Sequence, residues 1–449
     1  MSSISLQQAA QWCGGQIDPK YADVTFLGAT NDSRNIQPGQ LFVALQGARD
    51  GHDFIPAALE KGAAAVLCSR REGDYPAIVV EDTRIALGLI AAGERQRLGA
   101  KVVGVTGSVG KSTTKEMICA VLSRKYRVGK TPVNHNNDIG MPMAVLAMDG
   151  DIEVAVLEMG MNHFREIAYL TNIARPDIGV IINIGTMHIE HLGSQDGILK
   201  AKMEIVEGMG QDGQLILYGD DLYLRKAPQM TDKAITYFGT GDDCAVVASN
   251  IREEDGIFFD VRKGETAFSV VLPLEGMHFV SDALAAISVG LQMGVSIDDI
   301  RDALLNFRNM EGRQEIFEVN GVTIIKDCYN AGPESMAAAL AVLGKRKGRR
   351  IAVLGDMLEL GVCTQAEHYR IGRIAAEKAD VLLAYGPNSS RMVTGAITGG
   401  MTRVNGFEDR QKLIAELKRI AKPGDVLLFK GSHGMHMELA LEGFLKEDT

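Results

Sequence analysis

Lys101-Val102-Val103-Gly104-Val105-Thr106-Gly107-Ser108-Val109-Gly110-Lys111-Ser112-Thr113 decides how this chain is read. An apolar strand runs into a glycine-rich loop that ends in Gly-Lys-Ser and opens a helix, placed here from Lys115 to Arg124. Such a loop wraps phosphates with backbone N–H groups, and the helix N-terminus adds a favourable dipole. Lys111 would reach the terminal phosphates, and the Ser112 hydroxyl would meet Mg²⁺. Gly107, Ser108, Val109, Gly110 and Thr113 complete the cradle. The general pattern has glycine five residues before Gly110, where this chain has Val105.

Downstream, Val154-Ala155-Val156-Leu157 and Ile178-Gly179-Val180-Ile181-Ile182 are continuous apolar runs, as expected of strands buried on both faces of a parallel sheet. The first ends in Glu158, a carboxylate placed to hold a metal beside the loop. The second runs into Thr186-Met187-His188-Ile189-Glu190-His191, just past a strand end, where open α/β sheets place ligand chemistry. Residues 256–261 and 267–271 read as an antiparallel hairpin, and helices follow to about residue 308.

Before the loop, residues 1–83 read as a small mixed unit with short strands at 25–28, 41–45 and 64–67, followed by a helix from Thr83 to Leu98. After it, strands at 322–325, 351–354, 381–384 and 426–429, separated by helical stretches, read as an open sheet with helices on both faces. The expected organisation is α/β in three domains: 1–83, 84–312 and 313–449. An active site is expected at their junction.

Composition narrows the class. The 449 residues carry a net charge of −10, which argues against nucleic acid as a partner. The six cysteines are scattered without C-x-x-C, so neither a disulfide framework nor a zinc ribbon is expected. Neither a leader nor an apolar run long enough to span a membrane is read, which leads to the expectation of a cytoplasmic protein.

A set of motifs in one order now carries a resemblance. It comprises Asp32-Ser33-Arg34; Gly47 to His52; the phosphate loop with Thr114-Lys115-Glu116; and Asn134-His135-Asn136-Asn137-Asp138-Ile139-Gly140. Glu158-Met159-Gly160, His188 and Ala201-Lys202 follow, then Asp327-Cys328-Tyr329-Asn330, Leu354-Gly355-Asp356-Met357 and Lys430-Gly431-Ser432. Together they resemble the Mur ligases, ATP-dependent amide ligases of peptidoglycan precursor synthesis, and are most like the member that acts last in the series. The family's compact phosphate loop accounts for Val105.

The resemblance implies a small α/β domain for a UDP-sugar, a central P-loop ATPase domain with a mostly parallel sheet, and a Rossmann-like third domain. It implies ATP, two Mg²⁺ and an acyl phosphate intermediate. The substrates implied are UDP-N-acetylmuramoyl-tripeptide and D-alanyl-D-alanine, acted on by a monomer. Lys111, Glu158, His188 and Lys202 are the implied catalytic residues. Lys202, on its own a surface helix lysine, is implied to carry a CO₂-derived carbamate and to join Ser112, Glu158 and His188 as metal ligands. Asp282, Arg313 and Asn330 match nucleotide positions. Ser33, Arg34, Asp50, Gly51, His52, Asn134, Asn136 and Asn137 match positions around the UDP-substrate, and Asp327, Lys430 and Ser432 lie toward the dipeptide.

Three positions depart from the pattern. Asp282 replaces an Asn, so an acceptor-only carboxylate is expected near the base; Gly332 replaces an Asn, which should loosen its loop; His433 replaces an Arg. Three alternatives stand beside this expectation. One is a sibling ligase that adds a single amino acid, distinguished by amine choice. The others are a non-catalytic UDP-sugar or nucleotide-binding protein and a P-loop switch; both leave the full set of Lys111, Ser112, Glu158, His188 and Lys202 unexplained. Because the candidate residues fall in all three units, rigid-body closure is expected to assemble the site.

Overall fold

A computed structural model describes residues 3–446; Met1 and Ser2, part of the opening read as leaderless, and residues 447–449 lie outside it. The first unit is a four-stranded parallel sheet of Ala29–Thr30, Leu41–Val43, Ala65–Cys68 and Ala77–Val79. The stretch 25–28 is not one strand. Thr25–Phe26 pairs antiparallel with Ile4–Ser5, and Gly28, at φ 72°, turns the chain before Ala29 enters the parallel sheet.

The helix Thr83–Leu98 forms as expected. The Asp82 carboxylate caps it by accepting from the Arg84 and Ile85 N–H groups, and Gly99 closes it at φ 64°. Ala86, Leu87, Ile90 and Ala91 on its apolar face join Leu41, Leu67 and Ile78 of the first sheet to Met141, Leu157 and Leu170 of the middle unit. One continuous core therefore anchors both units.

The middle unit is a nine-stranded sheet. Its parallel part runs in the order Val128–Lys130, Val154–Glu158, Lys101–Thr106, Ile178–Ile181, Gln214–Tyr218, Ala234–Gly239 and Val246–Glu254. Gly256–Lys263 and Thr266–Leu272 then extend it antiparallel. The apolar runs have their expected cause: Val154 and Val156 pack in one core layer, Ala155 and Leu157 in the layer on the other face. Because the three central strands are parallel, the phosphate loop, Glu158 and the segment after Ile181 emerge side by side at one sheet end.

The phosphate-loop helix spans Lys111–Leu122 and starts four residues before its expected position. Gly110 at φ 87° provides a left-handed turn into the helix, so Lys111 and Ser112 stand on its first turn.

The third unit is a six-stranded sheet in the order Glu315–Val319, Val322–Asp327, Asp425–Lys430, Arg349–Gly355, Val381–Tyr385, Val404–Phe407, parallel except for the first strand. The two edge strands were not expected from sequence; they are only partly buried and lack an apolar run. The register sets Asp327 beside Lys430. Among the described residues, no helix is long and apolar enough to cross a membrane.

Candidate active site

A cleft of about 1090 Å³ opens between the middle and third units. The phosphate loop forms its floor, and Asn183 shapes that loop from the neighbouring strand exit. The Asn183 Oδ1 accepts from the Ser108 N–H (3.0 Å) and the Val109 N–H (2.9 Å), while its Nδ2 donates to the Val109 carbonyl (2.9 Å). Asn183 is not among the candidate residues read from the sequence. A Cβ on Gly107 would lie 3.1 Å from the Ile182 Cβ, so the loop and the neighbouring strand exit pack closely there.

Lys111 Nζ folds back onto the Gly107 carbonyl at 2.9 Å. Among the described residues no carboxylate lies within ion-pair distance of it; burial pushes the ammonium's pKa down, against the pull of Glu158. Ser112 is buried, and its Oγ accepts from Arg313 Nη2 at 3.0 Å. Glu158, 2% exposed, accepts from Asn136 Nδ2 at 2.8 Å through Oε1. Its other oxygen, Oε2, is buried without a hydrogen-bond donor; the nearest cation is Lys115 Nζ at 3.9 Å. Such an oxygen is costly to leave unmatched, which marks it as a position prepared for a ligand.

His188 sits at φ 64° with Nδ1 2.5 Å from Glu359 Oε2 of the third unit. Burial lowers its pKa and the Glu359 contact opposes that shift. Lys202 is not the surface lysine its helix suggests. It is 2% exposed, and among the described residues it has no ion-pair partner. Burial first, and then Lys111, hold its pKa well below the ordinary lysine value. Lys202 lies behind the cleft wall, within electrostatic reach of Lys111 and His188.

Asp282 corrects an expectation. Its carboxylate lies against the loop, where Oδ1 accepts from Thr114 Oγ1 at 2.8 Å and would stand 2.7 Å from a Cβ on Gly110. Burial raises its pKa to about 7, so below neutral pH the group holds a proton and can donate like the Asn it replaces. Gly332 is a second correction. At φ −136° it begins the helix Pro333–Gly344 in extended backbone rather than loosening a loop, and a Cβ there would meet Met187 Cγ at 2.7 Å. Its missing side chain leaves room for Met187 of the middle unit.

On the far wall Lys430, 2% exposed, pairs with Asp327 at 2.7 Å and donates to the Asn330 carbonyl at 2.9 Å. The Ser432 Oγ donates to the Ala331 carbonyl and accepts from the Leu358 N–H. His433 donates its backbone N–H to Asn330 Oδ1 at 3.3 Å. Asn134, Asn136, Asn137, Thr113, Asp282, Arg313 and Asn330 also line the cleft. Tyr329 and Glu359, not singled out from sequence, line it too.

The structure does not bring the first-unit residues there. They form a separate polar cluster. Asp50 accepts from His52 Nδ1 (2.7 Å) and Arg70 Nη2 (2.8 Å), and the Ser69 N–H donates to His52 Nε2 (3.0 Å). Gly51 is needed because a Cβ would lie 2.6 Å from Leu45 backbone atoms. Arg34 pairs locally with Asp32, and Ser33 is buried beside them.

Among the described residues, no three His, Cys, Asp or Glu side chains gather as a ready metal shell. That fits Mg²⁺ held jointly with nucleotide phosphates, which takes one or two carboxylates rather than a protein cage. The unmatched Glu158 Oε2 and the Ser112 hydroxyl, on adjoining strand exits, are a suitable donor pair.

Comparison with known proteins agrees with this geometry. Residues 24–95 match the model described as Mur ligase family, catalytic domain; 105–290 match the Mur ligase middle domain; 312–433 match the Mur ligase, glutamate ligase domain. The UDP-N-acetylmuramoyl-tripeptide–D-alanyl-D-alanine ligase of Bacillus subtilis (strain 168) is 39% identical, over 95% of this chain and 94% of its own length. A crystal structure of MurF from Acinetobacter baumannii superposes with a TM-score of 0.91 at 32% identity, covering all of both chains. MurF ligase from Thermotoga maritima in complex with ADP superposes with a TM-score of 0.82 at 30% identity, over 93% of this chain and 97% of that one.

Proposed function

This chain belongs to the Mur ligase family, and we propose that it joins D-alanyl-D-alanine to UDP-N-acetylmuramoyl-tripeptide in the cytoplasm, using ATP through an acyl phosphate. The observation that carries this is the pairing of unmatched charges on one sheet end: the Lys111 ammonium and Glu158 Oε2, faced by Arg313 and Lys430 of the third unit. A nucleotide and its metal complete these groups, and binding alone does not call for the further set of His188 and Lys202 beside them.

A carboxylate is a poor electrophile, and its approach to ATP brings two anions together. Lys111 and Arg313 supply positive charge to the phosphates in that approach. The tripeptide carboxylate oxygen attacks the γ-phosphorus, and ADP leaves. The dipeptide amine then attacks the acyl carbon, loses a proton, and expels phosphate. Ser112, Glu158, His188 and a modified Lys202 would hold Mg²⁺, which spreads the charge of the transferring phosphoryl group. Lys202 suits that modification: desolvation favours its neutral amine, which attacks CO₂ and loses a proton to give a carbamate anion. Asn134, Asn136 and Asn137 line the tripeptide's approach, and Asp282 and Asn330 the nucleotide's. Residues 1–83 receive the UDP-sugar through Ser33, Arg34, Asp50, Gly51 and His52, residues 84–312 bind ATP, and residues 313–449 present Asp327, Lys430 and Ser432 to the dipeptide.

Mass spectrometry of one incubation tests this. Protein, ATP, Mg²⁺, bicarbonate and UDP-N-acetylmuramoyl-tripeptide are combined with equimolar D-alanyl-D-alanine and single amino acids. The expected product is heavier by the dipeptide less water, with matching ADP. Addition of a single amino acid would move the chain to a sibling activity, and untouched ATP with folded protein would end the ligase proposal.

A further inference from the structure

Several contacts cross from the third unit to the middle one around the cleft, and the chemistry above leaves one of them unused. Arg313 lies just before the strand Glu315–Val319 and reaches Ser112 Oγ with Nη2. Tyr329, in the loop leaving the adjacent strand Val322–Asp327, faces that guanidinium, whose Cζ is 3.8 Å from the ring centroid. The Tyr329 hydroxyl donates to Asn134 Oδ1 on the middle unit, where Asn134 itself holds φ 66°. The ring is thus fixed at one end by its own strand and at the other by a loop of the opposite wall.

A guanidinium is weakly hydrated and settles on an aromatic face without spending its N–H donors. Among the described residues Arg313 has no carboxylate partner, so its remaining donors stay available to phosphate oxygens. A long flexible side chain would otherwise lose much of its rotamer freedom in the act of binding. Burial raises the Tyr329 phenol's pKa and its hydroxyl is already committed to Asn134, so the phenol is unsuited to act as a base.

We propose that Tyr329 is a positioning residue: its ring aims Arg313 at the phosphate loop, and its hydroxyl ties that platform to Asn134, so the cation is set only when the third unit is docked. This rests on the reading that Arg313 faces the nucleotide phosphates.

A double-mutant cycle tests it, with R313A, Y329L, the double variant and Y329F. R313A should lower kcat by roughly 100-fold. Y329L should lower kcat by roughly 10-fold, with the KM for D-alanyl-D-alanine unchanged. The double variant should be no worse than R313A alone, because Tyr329 acts through Arg313. Y329F, which keeps the ring, should recover most of the loss. Affinity for a non-hydrolysable ATP analogue, measured without the other substrates, gives the same cycle independently of amine choice. Losses that multiply in the double variant, or a Y329L protein of normal activity, would overturn the role of Tyr329 and leave that of Arg313 standing. A normal R313A would overturn both. If Y329L does not fold, Tyr329→Gln takes its place in the cycle, under the same criteria.

Discussion

Glu158 ends a strand and Asp50 caps a short helix, and their surroundings treat these two carboxylates in opposite ways. Asp50 is partly exposed, yet both its oxygens are engaged, and the His52 N–H, then Arg70 and the His52 ring, hold its pKa well below the usual carboxylate range. Glu158 is buried with one oxygen unmatched, and Lys111 in the same cleft and Lys202 behind its wall also lack acidic partners among the described residues. A fold minimising its own energy would fill the buried site first. The contrast separates scaffold from site: the Asp50, His52 and Arg70 side chains satisfy one another, whereas Glu158 Oε2 is completed only by a ligand.

The strongest way to break this contrast is to remove a cleft cation and watch stability and turnover together. Lys202→Met should abolish turnover, by roughly 10³-fold. It should also make the free protein more stable, by roughly 1–3 kcal/mol, since an apolar chain replaces a buried amine that has no acidic partner among the described residues. Denaturation in bicarbonate-free buffer measures the second effect. A large loss of stability would mean that Lys202 is structural and that the cleft is not built at the expense of the fold.

The second test uses Asp282, which belongs to the cleft but is not wholly unmatched. Its folded pKa, about 7, lies above the ordinary aspartate value of 3.8. Between these values the folded state binds the extra proton, so stability falls as pH rises from about 4 to 7. The upper bound is about 4 kcal/mol. Asp282→Asn removes this dependence while still accepting from Thr114. The variant should therefore exceed the parent in stability above pH 7, with the gap closing toward pH 4. A gap that does not change across that range would place a solvated, ionised carboxylate at Asp282.

Much of this was legible in the sequence, for definite reasons. Strands buried on both faces must be apolar at every position, so Val154–Leu157 stood out without periodicity. Gly110 and Lys111 announced the loop because few other residues can make that turn and that contact. What stayed hidden depended on distant partners. Asn183 grips a loop some 75 residues earlier in the chain. Glu359 meets His188 across 171 residues. Lys202 is buried while Lys200, almost opposite on the same helix, is exposed, and both look alike in the sequence. The helix start was set too late because a residue letter does not carry the φ of Gly110.

The smallest effects sharpen the first unit's side of the contrast. His52 is buried and accepts the Ser69 N–H, so His52→Ala leaves a donor unmatched and a cavity, at a cost of roughly 2 kcal/mol in denaturant titration. Arg34, with its side chain 83% exposed, pairs among the described residues only with nearby Asp32, so Arg34→Ala should leave stability unchanged. If the first unit receives the UDP-sugar, that same change should raise the KM for UDP-N-acetylmuramoyl-tripeptide several-fold, because a diphosphate loses a cation, and leave the KM for ATP alone. Arg34 would then be a first-unit cation whose exposed face is kept for a ligand while Asp32 holds it in place. A KM that does not move would leave Arg34 as a solvated surface charge and draw the boundary between scaffold and site at the helix Thr83–Leu98.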